Sequence, residues 1–178
     1  MPAGEPAWTS RIARLSTTRW GGSVFVVDTN VLVYAVDRDA ADHAACRSLV
    51  ERCRAQPEPW YLTWGIAYEF LRVTTHPGIF RNPLATKDAW AFLEAVFASP
   101  GLDMLLETER HAHVAAEVFI EVPRVAGNLV FDAHTAILMR ENGVRAIYTH
   151  DSDFNRFAFI DVLDPATGHR RSSSKRHR

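Results

Sequence analysis

Apolar residues along the chain alternate between short continuous runs and longer segments in which they recur every three or four positions. The continuous runs SVFVVD (23–28), LDMLL (102–106), VRAIYT (144–149) and FIDVLD (159–164) are typical of buried strands, because apolar side chains occupy both faces. Helical spacing covers 40–55, 62–75 and 129–142, where Gly143 supplies the stop. Two more helices are predicted to start at the caps Thr86 and Thr108 and to end near Pro100 and Pro123.

This alternation of strands and helices predicts the fold class. Hairpin signals are absent between the strands, since the Asn142-Gly143 pair falls at a helix end. The pattern therefore indicates an α/β domain with a mostly parallel sheet and helices on both faces. In such domains the functional crevice lies beyond the carboxyl ends of the strands.

Composition and charge divide the chain into three parts. Residues 23–165 have the composition of one globular domain, and 1–22 read as an N-terminal extension without a clear period. All 21 acidic residues precede position 165, whereas five of the 20 Lys and Arg residues lie in 166–178, which we expect to be a disordered basic tail.

The sequence carries no sign of a membrane or of an oxidising compartment. No apolar run approaches the ~20 residues of a membrane span. Cys46 and Cys53 lie on one predicted helix about 10 Å apart at ~1.5 Å per residue, which is too far for a disulfide. We therefore expect a cytoplasmic protein with no membrane association.

Five carboxylates occupy positions that are unusual for acids. Asp28 ends the first strand, Asp151 and Asp153 follow the strand 144–149, Asp132 lies in the first turn of a helix, and Glu69 is embedded among apolar residues. Helix capping or the helix dipole could account for single aspartates at such places. These roles do not account for the buried glutamate or for all of the aspartates together.

Gathered at one edge of the sheet, these acids would need a compensating charge. Neighbouring carboxylates raise one another's pKa, and a hard divalent cation is the usual remedy. Mg²⁺ and Mn²⁺ prefer carboxylate and water oxygens, and pairs of such ions promote cleavage of phosphodiester bonds. The pattern thus favours a metal-dependent nuclease.

The segments that carry these acids resemble a known family. VVDTNVLVYAVD, the embedded Glu69, NLVFDAHTAIL and YTHDSDF match, in order, the acidic blocks of PIN-domain ribonucleases, most closely the VapC-type toxins of toxin–antitoxin pairs. The resemblance implies a three-layer α/β/α sandwich and Mg²⁺- or Mn²⁺-dependent endonucleolytic cleavage of RNA. It also implies a homodimer that a cognate antitoxin protein holds inactive.

The resemblance assigns roles to individual residues. The predicted catalytic and metal-binding acids are Asp28, Glu69, Asp132 and Asp151, and Asp153 matches a further catalytic acid that the family uses less consistently. Thr29, Asn30 and Thr149 match small polar residues that position water or phosphate. Phe131 and His150 depart from the usual polar or basic residues, which leaves the RNA specificity open. His134 reads as a surface or packing residue, although it lies near enough to Asp132 to approach substrate.

A groove for the antitoxin is predicted on the helix pair 40–55 and 62–75. Leu49, Val50, Phe70 and Val73 would line it for an amphipathic helix, whose arginine would pair with the carboxylates. The alternative is that these residues complete the core or a dimer interface.

Three other functions compete with the nuclease. An aspartyl-phosphate phosphatase needs a second acid two residues after the first, where this chain has Asn30, and both it and a receiver domain need a site lysine. The chain has only Lys87 and Lys175. A non-catalytic RNA- or partner-binding module of the same fold would be expected to lack one or more core acids, and all are present.

Overall fold

A computed structural model describes residues 24–170 of the chain. It contains one sheet of five parallel strands in the order β3-β2-β1-β4-β5. The strands are β1 (Phe25–Val27), β2 (Trp60–Leu62), β3 (Leu102–Met104), β4 (Ala146–Tyr148) and β5 (Asp161–Leu163). The helices are α1 (Thr29–Val36), α2 (His43–Ala55), α3 (Trp64–Thr74), α4 (Thr86–Phe97), α5 (His111–Glu121) and α6 (Leu129–Glu141), and a short 3₁₀ helix covers Asp153–Arg156.

The strand order sets where a ligand can enter. From β1 the chain adds β2 and β3 on one side, then crosses back to add β4 and β5 on the other. Because parallel crossovers are right-handed, this reversal places α1 to α4 on one face of the sheet and α5 and α6 on the opposite face. The result is the predicted α/β/α sandwich, with its topological switch point between β1 and β4, and in open α/β sheets ligands bind at this point, beyond the carboxyl ends of the strands.

The core lies on both faces of the short central strands. Val26 and Val27 of β1 are completely buried, as are Trp60 and Leu62 of β2 and Ile147 of β4. A three-residue strand buried on both faces has no polar alternation, which is why the sequence shows these strands as continuous apolar runs. Cys46 and Cys53 are free thiols in this core, as expected from their spacing.

Two elements were not predicted from the sequence. The segment after Asp28 forms α1, and Trp60–Leu62 forms β2, whereas the sequence placed Leu62 at the start of a helix. Thr63 separates the two elements, since its side chain accepts a 3.1 Å hydrogen bond from the backbone N–H of Ile66 and caps α3.

Both predicted threonine caps are wrong. Thr86 is the first residue of α4 rather than its cap, and α5 begins three residues after Thr108 without a side-chain cap. Thr108 instead uses its hydroxyl to accept from the backbone N–H of Arg110 and to donate to Glu141. The predicted stop of α6 is confirmed by Gly143, whose φ of 70° is readily adopted only by glycine.

The described residues include the beginning of the predicted basic tail. Residues 164–168 form a turn, and Arg170 makes an antiparallel bridge to Leu163 and a 2.8 Å ion pair with Asp161. Residues 166–170 of the predicted tail thus have a described conformation, while 1–23 and 171–178 lie outside the described residues. Within 24–170, no helix is long and apolar enough to cross a membrane.

Candidate active site

Asp28 stands at the junction between β1 and α1. Its backbone N–H donates to the carbonyl of Tyr148, which continues the pairing of β1 with β4 by one residue. Its side chain then turns back to accept a 2.7 Å hydrogen bond from the N–H of Thr29 and caps α1. The Asp28 carboxylate therefore caps α1 and also lies at the carboxyl edge of the sheet.

The second oxygen of Asp28 is held by two polar side chains. Oδ2 accepts hydrogen bonds of 2.6 Å from the amide of Asn30 and 2.6 Å from the hydroxyl of Thr149. The oxygen of Asn30 accepts from the backbone N–H of His150, and the N–H of Asp151 donates to the Thr149 hydroxyl. This network joins the ends of β1 and β4 and fixes the orientation of Asp28.

Glu69 reaches the same edge from α3. The hydroxyl of Thr29 donates a 3.0 Å hydrogen bond to one oxygen of Glu69, and Arg72 lies 3.2 Å from the other. Glu69, which the sequence shows embedded among apolar residues, thus has two polar partners. Arg72 was missed, although its spacing of three residues on a helix is the usual signal for such a pair.

Three further acids converge beside Asp28. Carboxylate oxygens of Asp132, Asp151 and Asp153 all lie within 4.8 Å of one another. The backbone N–H of Asp153 donates to Asp151, and Arg156 pairs with Asp153 at 2.9 Å. Asp151 and Asp153 therefore converge through a turn that opens the 3₁₀ helix.

Burial and mutual repulsion disfavour the charged forms of two acids. Burial raises the pKa of Asp28 to about 6 against the hydrogen bonds from Thr149 and Thr29 that lower it, and the charge of Glu69 adds to the rise. The pKa of Asp132 rises to about 7, first by burial and then by the charges of Asp28 and Asp151, followed by those of Glu69 and Asp153. The site thus holds more negative charge than its own residues neutralise.

The donor set fits a hard divalent cation. The converging groups are carboxylates, and in the described residues no histidine or cysteine belongs to the cluster. The tightest group is Asp132, Asp151 and Asp153, whereas the sequence assigned the metal to Asp28, Glu69, Asp132 and Asp151. Asp153 therefore joins the candidate ligands.

All eight residues singled out in the sequence lie at this edge of the sheet. They are Asp28, Thr29, Asn30, Glu69, Asp132, Thr149, Asp151 and Asp153, which hydrogen bonds and charge interactions join into one cluster. The family model of the PIN domain matches residues 25–160, the segment that contains them all. The chain belongs to the PIN-domain family.

Relatives of this PIN domain match about four fifths of the chain. Ribonuclease VapC48 of Mycobacterium tuberculosis is 39% identical over 142 residues, which are 79% of this chain and 97% of the relative. The VapC ribonuclease Mb2897 of Mycobacterium bovis is 34% identical over 142 residues, which are 80% of this chain and 95% of the relative.

Solved structures share the fold of the PIN domain at low sequence identity. The crystal structure of VapC20 from Mycobacterium tuberculosis, a toxin that cleaves the sarcin-ricin loop, has a TM-score of 0.55 at 20% identity and covers 78% of this chain and 97% of its own. VapBC2 from Rickettsia felis, bound to a DNA fragment from the promoter, has a TM-score of 0.58 at 12% identity and covers 79% of this chain and 98% of its own. These two matches support the fold alone.

Proposed function

We propose that this PIN domain is a divalent-metal-dependent endoribonuclease and the toxin of a toxin–antitoxin pair. The observation that carries the proposal is the convergence of Asp132, Asp151 and Asp153 beside buried Asp28 at the switch point of the sheet. The identity to VapC ribonucleases supports RNA as the substrate. Because that substrate is cytoplasmic, we propose the cytoplasm as the place of action.

The acids of the cluster would hold Mg²⁺ or Mn²⁺. Asp132, Asp151 and Asp153 are the proposed ligands, together with Asp28 and Glu69 at the inner side of the crevice. Such ions lower the pKa of a bound water and stabilise charge on phosphate oxygens. The polar residues of the site hold these acids in position: Thr149 and Asn30 orient Asp28, and Thr29 orients Glu69.

The proposal is tested by RNA cleavage with and without metal. Purified protein is incubated with total RNA in Mn²⁺, in Mg²⁺ and in EDTA, and the fragments are mapped. We expect discrete fragments in Mn²⁺ or Mg²⁺ and none in EDTA. Equal cleavage in EDTA would contradict the metal requirement.

A matched pair of variants distinguishes cleavage by this protein from cleavage by a contaminating ribonuclease. Asp132→Asn removes one charge from the cluster and should abolish cleavage. Glu58→Gln removes one charge from an exposed position outside the cluster and should cleave like the unchanged protein. Cleavage by both preparations would assign the activity to a contaminant.

We propose an inhibitory antitoxin as the protein partner, but the groove predicted for it is wrong. Leu49, Val50 and Phe70 are buried in the core, and Val73 is half-buried, so these four side chains do not together form the predicted groove. A cavity of about 300 Å³, which Val50 helps to line, lies between the end of α1, α2 and α4. Its lining includes Ala35, Val36, Phe92, Arg38 and Arg54, which suits an amphipathic helix with acidic flanks.

The partner is tested by co-expression with the neighbouring reading frame. We expect a complex on size exclusion that does not cut RNA, because a basic side chain of the inhibitor pairs with the acids in place of metal. A complex that cuts RNA at the full rate would contradict this mode of inhibition.

We also propose a homodimer. Phe119 and Ile120 near the end of α5 and Val130 at the start of α6 are exposed apolar side chains, and α5 packs on α6. Light scattering that gives the mass of one chain over the micromolar range would contradict the dimer.

A further inference from the structure

Two exposed aromatic rings adjoin two of the site acids. Tyr68 precedes Glu69 in α3 and is 62% exposed, and Phe131 precedes Asp132 in α6 and is 64% exposed. Most large apolar side chains of the described residues are buried, so rings this open are exceptions. Each lies next in sequence to a carboxylate that we place in the catalytic cluster.

The two rings belong to helices that touch. A side-chain carbon added to Gly65, near the start of α3, would lie 3.8 Å from Nδ1 of His134 in α6. Residues three apart on a helix are neighbours on its surface. Phe131 is therefore a neighbour of His134 on α6, and Tyr68 is a neighbour of Gly65 on α3. α3 and α6 pack against each other, and the approach of Gly65 to His134 places Tyr68 and Phe131 on the adjoining sides of these two helices.

Further rings continue this surface. The rings of Trp64 and Tyr68 are 6.1 Å apart between centroids, and the half-exposed His134 is held at Nε2 by Glu107 at 3.4 Å. We call Trp64, Tyr68, Phe131 and His134 the ring strip. It presents flat side chains beside the crevice on two helices that the core fixes in place.

The charge around the site bears on how the ring strip could bind RNA. Residues 24–170 contain 13 Lys and Arg against 20 Asp and Glu, a charge of −7 within a chain whose net charge is −1, so phosphate contacts to this part of the chain depend on the metal ions that the cluster would hold. The two arginines at the cluster, Arg72 and Arg156, already pair with Glu69 and Asp153. Contacts with the bases would add to those that the metal ions make with phosphate, and stacking on aromatic rings supplies base contacts without regard to sequence.

We propose that the ring strip is a stacking platform for unpaired bases of single-stranded RNA next to the cleaved bond. This inference rests on the proposed ribonuclease function and adds the side chains that hold the RNA beside the cleaved bond. Paired bases cannot reach the rings, so a duplex is excluded and an unpaired segment is bound.

The test uses a short unstructured RNA oligonucleotide that contains 2-aminopurine, whose fluorescence is quenched by stacking. Binding is measured in Ca²⁺, which seeks carboxylate oxygens, and the KM for cleavage is measured in Mn²⁺. We expect Phe131→Ala and Tyr68→Ala each to weaken binding and raise KM by about tenfold and to reduce the quenching, with a small change in kcat. The ring-preserving variants Phe131→Trp and Tyr68→Phe should bind like the unchanged protein.

A control variant and the oligomeric state complete the test. Ile79→Ala removes another exposed apolar side chain, 53% exposed and beyond the opposite end of α3, and should leave binding unchanged. The proposal would be overturned if the unchanged protein bound the RNA without quenching the 2-aminopurine fluorescence, or if the alanine variants bound it equally well. Variants that lose binding only because a dimer becomes a monomer would assign the strip to an interface between copies. The ribonuclease proposal fails separately, if the unchanged protein cuts no RNA in Mn²⁺.

Discussion

The hydroxyl of Thr149 donates a 2.6 Å hydrogen bond to Oδ2 of Asp28, a residue 121 positions earlier in the chain. The same hydroxyl accepts from the side chain of Asn30 and from the backbone N–H of Asp151. One completely buried threonine thus connects the first acid of the cluster with the loop that carries the later ones.

Thr149→Val should loosen this connection without changing the volume of the side chain. Asp28 loses a donor and the N–H of Asp151 loses its acceptor, so we expect a loss of about 1–3 kcal/mol in the free energy of unfolding. Cleavage should fall as Asp28 and Asp151 shift. Thr149→Ser keeps the hydroxyl and should recover most of the cleavage rate, as measured by urea unfolding and an RNA assay. Equal rates for the Val and Ser variants would contradict the role of the hydroxyl.

Asp28→Asn and Asp132→Asn should both abolish cleavage but should change stability in opposite directions. Asp28 accepts three hydrogen bonds, and an amide in its place turns an NH₂ group toward one of those donors, so the free energy of unfolding should fall.

Asp132 carries a raised pKa, and its removal relieves repulsion from the other acids. The metal-free Asp132→Asn variant should therefore gain roughly 1 kcal/mol, after allowance for the screening of a partly exposed group. Urea unfolding in EDTA measures both variants. A stabilised Asp28→Asn variant would show that the hydrogen bonds matter less than the buried charge.

The metal-free protein should lose stability as the pH rises toward neutral. The folded pKa values of Asp28, about 6, and Asp132, about 7, both exceed the ordinary value of 3.8. The folded chain therefore holds more protons than the unfolded chain between pH 3.8 and about 7, and the free energy of unfolding decreases across this window.

This dependence is measured by thermal unfolding in EDTA at a series of pH values. Adding Mn²⁺ should restore stability most at the upper end of the window, because deprotonated carboxylates bind the ion best. Asp132→Asn should show a shallower slope than the unchanged protein. A slope that is the same with and without Asp132 would place the titrating group elsewhere.

Gly101→Ala should destabilise the fold away from the site. The added carbon would lie 2.2 Å from the carbonyl oxygen of Glu58 and 2.9 Å from that of Gln56, and neither backbone atom can move freely beside β2. We expect a loss of more than ~2 kcal/mol in the free energy of unfolding. Gly65→Ala is the control: its nearest contact would be an ordinary 3.5 Å and alanine favours helix, so stability should stay equal or rise.

The convergence of the acids followed from the sequence because it depends on topology. Asp28 and Asp151 come after apolar runs, and parallel strands bring their carboxyl ends to one edge whatever their detailed bounds. By contrast, β2 has three residues and runs directly into the cap of α3, so its apolar residues merged with the helical pattern that follows.

Other features depended on contacts that only the folded chain reveals. Leu49 and Phe70 have the spacing of an exposed groove as much as that of a core, and the packing of α1 against α2 and α3 decides for the core. Asp153 entered the acid cluster through a backbone hydrogen bond to Asp151, which the spacing of the two residues did not specify. Periodicity identifies which side chains share a face, but not what covers that face.

The return of the chain at residues 164–170 has a consequence for self-association. β5 ends the sheet, and an open edge strand offers unpaired backbone groups on which a strand of another molecule can add. Here the chain's own Arg170 bridges Leu163 on that edge, and the N–H of Asp164 donates to the carbonyl of His169. The bridge and the charged side chains at this border disfavour templated aggregation at the β5 edge of the sheet.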